Sequence, residues 1–125
     1  MSFKIAIIED EQIIAEMYKF KFELAGYRVK MAHDGVSGLE LCKEYEPELI
    51  LLDIMMPAMN GADMLSVLRS TEWGAKPRVV ILTNISKTEA PMSLRFLNVD
   101  RYIVKAHYTP QQVLEVVQDV LRRTH

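Results

Sequence analysis

Short runs of aliphatic residues alternate along the chain with longer segments in which apolar positions recur every three or four residues. The runs cover residues 4–8, 28–32, 49–52, 78–82 and 101–104. Each is rich in Ile, Val or Leu and too short to be a helix, so each is predicted to be a strand buried on both faces. In the first intervening segment Ile13, Met17, Phe20 and Leu24 share one helical face, and Gly26 supplies the left-handed stop. Helices are predicted over about 35–45, with Asp34 as N-cap, and about 61–70. The last helix is the clearest. Thr109 caps it, Pro110 takes its first position and Gln112 completes a capping box, ahead of a stripe of Val113, Val116, Val117, Val120 and Leu121.

The pattern weakens between the fourth and fifth strands. Ser86 and Glu89 have capping-box spacing, but a helix starting there would hold Pro91 in its interior and lose a ladder bond. A start near 88–90 moves Pro91 into the first turn, where its missing N–H is harmless. A short, late-starting fourth helix ending at a left-handed Asn98 is therefore predicted. Five strand–helix repeats imply an α/β fold, with a parallel sheet covered by helices on both faces and ligands bound at the strands' carboxyl ends.

At 125 residues the chain is long enough for one domain with a core of its own. Its formal charge of −2 offers no bulk attraction to nucleic acid or to anionic membrane. No apolar run approaches ~18 residues, and "MSFKIAIIED" meets acid too early for a signal peptide. The one cysteine, Cys42, excludes an internal disulfide, fits a reducing cytoplasm and reads as a core residue. His33, His107 and His125 form no ligand set and read as surface residues.

Candidate chemistry sits where the strands end. Glu9, Asp10 and Glu11 follow the first strand, Asp53 the third, Thr83 and Asn84 the fourth, and Lys105 the fifth. Crowded carboxylates need a cation, and a donor set of oxygens alone points to a hard ion such as Mg²⁺. An aspartate beside that ion, an ammonium and a hydroxyl can attack phosphorus to give an aspartyl phosphate. The metal and Lys105 would neutralise the phosphoryl oxygens, and Thr83 would donate a hydrogen bond. This explains an acid placed directly after "LILL": the strand is a rigid post for the nucleophile.

The stretches "IIEDE", "LILLDIMMPAMNG", "ILTN" and "DRYIVKA", in this order and spacing, resemble the receiver domain of bacterial two-component response regulators. The resemblance spans the chain and implies that 1–125 is a single receiver domain. It implies a flavodoxin-like (βα)5 fold of strand order 2-1-3-4-5 with five helices. It implies phosphorylation of Asp53 by the phosphohistidine of a sensor histidine kinase or phosphotransfer protein. Asp10 and Asp53 would then bind Mg²⁺ directly, the Met55 backbone carbonyl would be a third ligand, and Glu9 would act mainly through water. Thr83 and Tyr102 match the switch pair: Thr83 moves toward the phosphoryl group and Tyr102 turns inward behind it. That remodels the face of the fourth helix, fifth strand and fifth helix for an output partner or a C-terminal effector domain. The chain is then no turnover enzyme, but performs self-phosphotransfer and slow autodephosphorylation, with Met55 and Ile85 at the positions that normally orient water.

Three positions depart from that pattern: Ala106 replaces a cis proline, Asn84 a small residue, and His107 an aromatic. The Lys105–Ala106 bond is expected to be trans, since a cis non-proline peptide costs about 2.5–4 kcal/mol. A two-fold dimer through the output face is also compatible with the resemblance: Asp100 and Arg122 keep the usual signs, while Arg101 and Glu115 exchange theirs. Other classes fit less well. A haloacid dehalogenase-type phosphohydrolase needs a second acid where Met55 stands, and a flavin or dinucleotide carrier needs a Gly- or Ser/Thr-rich loop where the chain has the acidic "IEDEQII". The remaining alternative is a receiver-like interaction module that never takes phosphate.

Overall fold

In the computed structural model, which describes residues 2–123, each aliphatic run forms a strand. These are β1 (Lys4–Ile8), β2 (Arg28–Ala32), β3 (Leu49–Leu52), β4 (Arg78–Thr83) and β5 (Arg101–Val104). His125, expected at the surface, lies outside the described residues. All five strands pair in parallel in the order β2-β1-β3-β4-β5. Ile8 pairs with Ala32 and Leu52, Leu52 with Ile81, and Thr83 with Val104, so the carboxyl ends share one edge.

Successive strand side chains point to opposite faces, and both faces are covered. Ile5, Ile7, Leu49, Leu51 and Val80 pack with α1 (Gln12–Leu24) and α4 (Pro110–Arg122). Ala6, Ile8, Ile50, Leu52 and Ile81 pack with α2 (Gly35–Tyr45) and α3 (Gly61–Arg69). Capping follows the sequence. Asp34 accepts from the Ser37 N–H at 2.7 Å, and Thr109 and Gln112 form the reciprocal capping box. Gly26 and Asn98 adopt left-handed φ values of 99° and 54°. Cys42 is in the core, where burial pushes its thiol up to about 12. No helix among the described residues is long and apolar enough to cross a membrane.

Two features differ from the sequence reading. The described residues hold four α-helices rather than five, because the fourth crossover is built from two 3-10 turns, Lys87–Glu89 and Met92–Phe96. Pro91 lies between them with ψ 134°, which is not helical. The Ser86 hydroxyl bonds the Glu89 side chain at 2.8 Å instead of capping the backbone. Only Leu94 of the second turn is buried, so no apolar face repays the ordering of a longer helix.

The other difference is on α1. Ile13, Met17, Phe20 and Leu24 do share a face, but that face is turned to solvent, with Ile13 85% and Phe20 66% exposed. The helix buries Ala15, Tyr18 and Phe22 against the sheet. Helical period alone cannot choose between two apolar stripes on one helix. The Lys105–Ala106 peptide is trans, as are all others described, and residues Lys105–His107 form a 3-10 turn.

Candidate functional site

The parallel register brings the strand-end residues together. Asp53 is the first residue after β3, and its N–H donates to the Ile8 carbonyl at 3.0 Å, so the ladder runs right up to the nucleophile candidate. Its carboxylate is almost fully buried. Oδ1 accepts from the Met55 N–H at 3.1 Å, and Oδ2 lies 3.4 Å from Lys105 Nζ. The loop behind it folds back closely: a Cβ on Gly61 would overlap the Asp53 carbonyl oxygen, and the Gly61 N–H donates to the Ile54 carbonyl at 2.9 Å. Gly35 has the same role beside Met59, whose carbonyl oxygen a Cβ would meet at 2.6 Å. Glycine is needed at both because backbone approaches backbone.

Ligand oxygens of Glu9, Asp10 and Asp53 lie within 4.8 Å of one another. Glu9 and Asp53 are buried and Asp10 is exposed, so the cluster opens to solvent on one side. Three hard oxygen donors with no sulfur or imidazole fit a Mg²⁺-sized cation that keeps some of its water. Glu9 is more tightly held than the sequence suggests. Its Oε1 accepts from Lys105 Nζ at 2.6 Å and its Oε2 from the Glu11 N–H at 3.1 Å. Burial pushes the Glu9 carboxyl up to about 7, against the pull of the Lys105 hydrogen bond and the Glu11 N–H. Burial works to lower the Lys105 pKa, but the Glu9 hydrogen bond and the Asp53 and Glu9 charges outweigh it and hold the ammonium above its ordinary value.

Thr83 ends β4, fully buried, and its Oγ1 is without any hydrogen-bond partner. A buried orphan hydroxyl is costly unless something completes it. Tyr102 on β5 is half-buried. Its hydroxyl donates to the Ile85 carbonyl at 2.7 Å, and its pKa is raised first by burial and then by the Asp53 charge. Met55 is exposed, Ile85 half-buried and Asn84 exposed. Of the charges considered for a dimer, Asp100 is occupied by Arg78 at 3.2 Å and the Val79 N–H at 2.9 Å, and Arg122 faces Asp119 at 3.7 Å. Arg101 and Glu115 remain at the surface. His33 is not a free surface residue, since its Nδ1 meets the Glu9 carbonyl at 3.0 Å.

The response regulator receiver domain family matches residues 5–118. The chain belongs to that family. It is a signalling domain of two-component systems, of the CheY-like fold. It is 32% identical over 121 residues to the DNA-binding dual master transcriptional regulator RpaA of Synechocystis, covering 97% of this chain and 50% of RpaA. The CheY-like receiver of Methanospirillum hungatei superposes with TM-score 0.89 at 25% identity, over 99% of this chain and 97% of that one. The response regulator TrrA of Thermotoga maritima, in complex with Mg(2+)-BeF, superposes with TM-score 0.82 at 25% identity, over 95% and 98%. The receiver spans about half the length of the curated relatives it matches.

The receiver holds three arrangements that the sequence pattern alone did not settle. One is the direct Glu9–Lys105 bond, which depends on side chains 96 positions apart. Another is His33, which lies across a strand pairing. The third is the solvent-facing stripe of α1, whose spacing was visible but whose direction was not.

Proposed function

We propose that this receiver is a phosphorylation switch that accepts a phosphoryl group on Asp53 from the phosphohistidine of a sensor kinase or phosphotransfer protein. The observation that carries the reading is the orphaned Thr83 hydroxyl at the carboxyl end of β4, on the same sheet edge as a buried carboxylate bonded to an ammonium. One phosphoryl group on Asp53 would give Thr83 Oγ1 an acceptor and Lys105 a more highly charged anion to hold. An Asp53 carboxylate oxygen forms the new P–O bond as the P–N bond of the donor breaks, and the electron pair leaves with the imidazole. Lys105 offsets the charge gathered on the phosphoryl oxygens, and the Met55 N–H orients the carboxylate. Asp10, Asp53 and the Met55 carbonyl would hold Mg²⁺, with Glu9 contributing through water; the ion would supply further neutralisation of the transferred group. The Mg(2+)-BeF complex of TrrA, in which beryllofluoride stands in for a phosphoryl group, supports the same use here.

Thr83 and Tyr102 then form the switch, because engaging the hydroxyl draws β4 toward the site while the Tyr102 ring fills behind it. Output passes through the 3-10 segment, β5 and α4 to a partner or to an effector domain. The half-length match to transcriptional regulators supports an effector in the same polypeptide. A two-fold dimer on this face would use Arg101 and Glu115. The stripe on α1 supports a helical phosphodonor. Ile13, Met17, Phe20 and Leu24 are spaced four, three and four apart, as in a coiled-coil seam, and Ile13 lies three residues from Asp10. The reduced, buried Cys42 suits the cytoplasm.

Acetyl phosphate with Mg²⁺ should add a single phosphoryl group to the protein, and Asp53→Asn should abolish it. Labelling of Asp53→Asn at the wild-type level would overturn the assignment. A wild-type protein that binds Mg²⁺ but never takes label would favour the interaction-module alternative.

A further inference from the structure

Arg69 is the last residue of α3, and its guanidinium is directed to backbone carbonyls in two separate segments. Nε–H donates to the Leu97 carbonyl and Nη2 to the Asn98 carbonyl, each at 2.9 Å. Nη1 donates to the Pro77 carbonyl at 2.8 Å and the Gly74 carbonyl at 3.1 Å, with Ala75 at 3.3 Å. The fork therefore joins the loop between α3 and β4 to the end of the 3-10 segment before β5. The Leu97 and Asn98 carbonyls follow a short 3-10 turn that leaves them without internal partners, and the other three lie in a loop. Left-handed Asn98 points the chain away from any continuing ladder. The Arg69 pKa is lowered by burial, and the nearby Asp100 carboxylate opposes that.

The other end of the same segment hangs on a different residue. Tyr102 Oη donates to the Ile85 carbonyl at 2.7 Å, with the Ser86 carbonyl next at 3.5 Å. Between the two ends the chain is held by the bonds of its two 3-10 turns and by packing at Ala90, Leu94 and Leu97. Leu94 is buried, but Met92 and Phe96 are 68% and 81% exposed. We infer that residues 85–98 form a strap with two unequal anchors, and that Arg69 is the positioning residue that keeps its C-terminal end fixed while its N-terminal end responds to the site. Charge-assisted bonds from a residue rooted in a packed helix outlast a single neutral hydroxyl bond. Movement at Thr83 and Tyr102 is then confined to residues 85–91, the half ahead of the second 3-10 turn. The inference rests on the switch reading above and adds where the motion stops.

The test is amide hydrogen exchange on the full chain, with and without Mg²⁺ and beryllofluoride, with acetyl phosphate labelling of Asp53 measured on the same samples. In the wild type, beryllofluoride should change exchange over 85–91 and leave 97–100 unaltered. Arg69→Lys keeps the charge but loses the fork. It should speed exchange at 97–100 by about tenfold even without beryllofluoride, and should let beryllofluoride alter both ends. Trp73, the only tryptophan, precedes Gly74, so its emission should shift in Arg69→Lys. Tyr102→Phe should loosen 85–91 alone. Unchanged exchange at 97–100 in Arg69→Lys overturns the anchor. So does a wild-type response of equal size at both ends, which needs no variant to fold. If wild-type Asp53 takes no label, the switch reading fails, and the division of roles between the anchors fails with it.

Discussion

Lys105 Nζ lies closer to Glu9 than to the phosphoacceptor candidate: 2.6 Å from Glu9 Oε1 against 3.4 Å from Asp53 Oδ2. The ammonium is thus stored on a neighbouring acid. In the proposed switch, phosphorylation would place a more highly charged anion on Asp53, and Lys105 could turn toward it without crossing solvent.

The burial of Glu9, which outweighs its bond to Lys105, sets a pH dependence. Glu9 has a folded pKa of about 7 against an ordinary 4.5, so the unfolded chain loses this proton first. Its contribution to stability is full below pH 4.5 and is lost as pH rises through about 7. Denaturant titrations in chelator should show stability falling by about 1–3 kcal/mol across that window. Saturating Mg²⁺ should flatten the fall, since the ion favours the ionised carboxylates. A profile in chelator that rises with pH would contradict the burial argument for Glu9.

Thr83→Val removes a buried hydroxyl that has no partner. The unphosphorylated protein should therefore gain about 0.5–2 kcal/mol in stability rather than lose it. The same change should weaken the stabilisation conferred by beryllofluoride with Mg²⁺. Thermal melts of both proteins, with and without the mimic, read the two effects separately, and a destabilised apo variant would show that Thr83 already has a partner.

The aspartyl phosphate should decay slowly, because Met55 and Ile85 are both apolar and cannot orient an attacking water. Met55 is exposed enough to accept a polar replacement without disturbing the core. Met55→Asn with Ile85→Glu should shorten the phosphoryl lifetime by about tenfold or more, the usual scale of a positioned base or hydrogen-bonding group. Loss of label over time gives the rate directly. Equal lifetimes would mean that water reaches the phosphorus by another route.

Phe20→Asp on α1 should separate two phosphodonors. The side chain is exposed, so the fold should be nearly unaffected, within about 0.5 kcal/mol. Labelling by acetyl phosphate should persist, while transfer from a phosphorylated histidine kinase should fall by at least about tenfold, as for loss of an apolar anchor at an interface. Parallel loss with both donors would point to damage at Asp53 rather than to a docking surface.

Much of this protein is legible in its sequence because local rules and strand order act together. Aliphatic runs too short for helices define the five strands, and the capping box at Thr109 and Gln112 marks the last helix. Parallel pairing then places Glu9, Asp10, Asp53, Thr83 and Lys105 at one edge with no further information needed. Tertiary structure decided what local pattern left equal. Helix α1 has two apolar stripes, and only packing against the sheet selects Ala15, Tyr18 and Phe22 for burial. The fourth crossover has helical spacing, but Pro91 and a single buried Leu94 leave a longer helix without enough packing to hold it. Arg69 reads as an ordinary end-of-helix arginine until the fold brings the carbonyls of Leu97 and Asn98 to it. Lys105 likewise meets Glu9 only across the sheet edge. Contacts of that kind join residues far apart in the chain, so no short-range pattern records them.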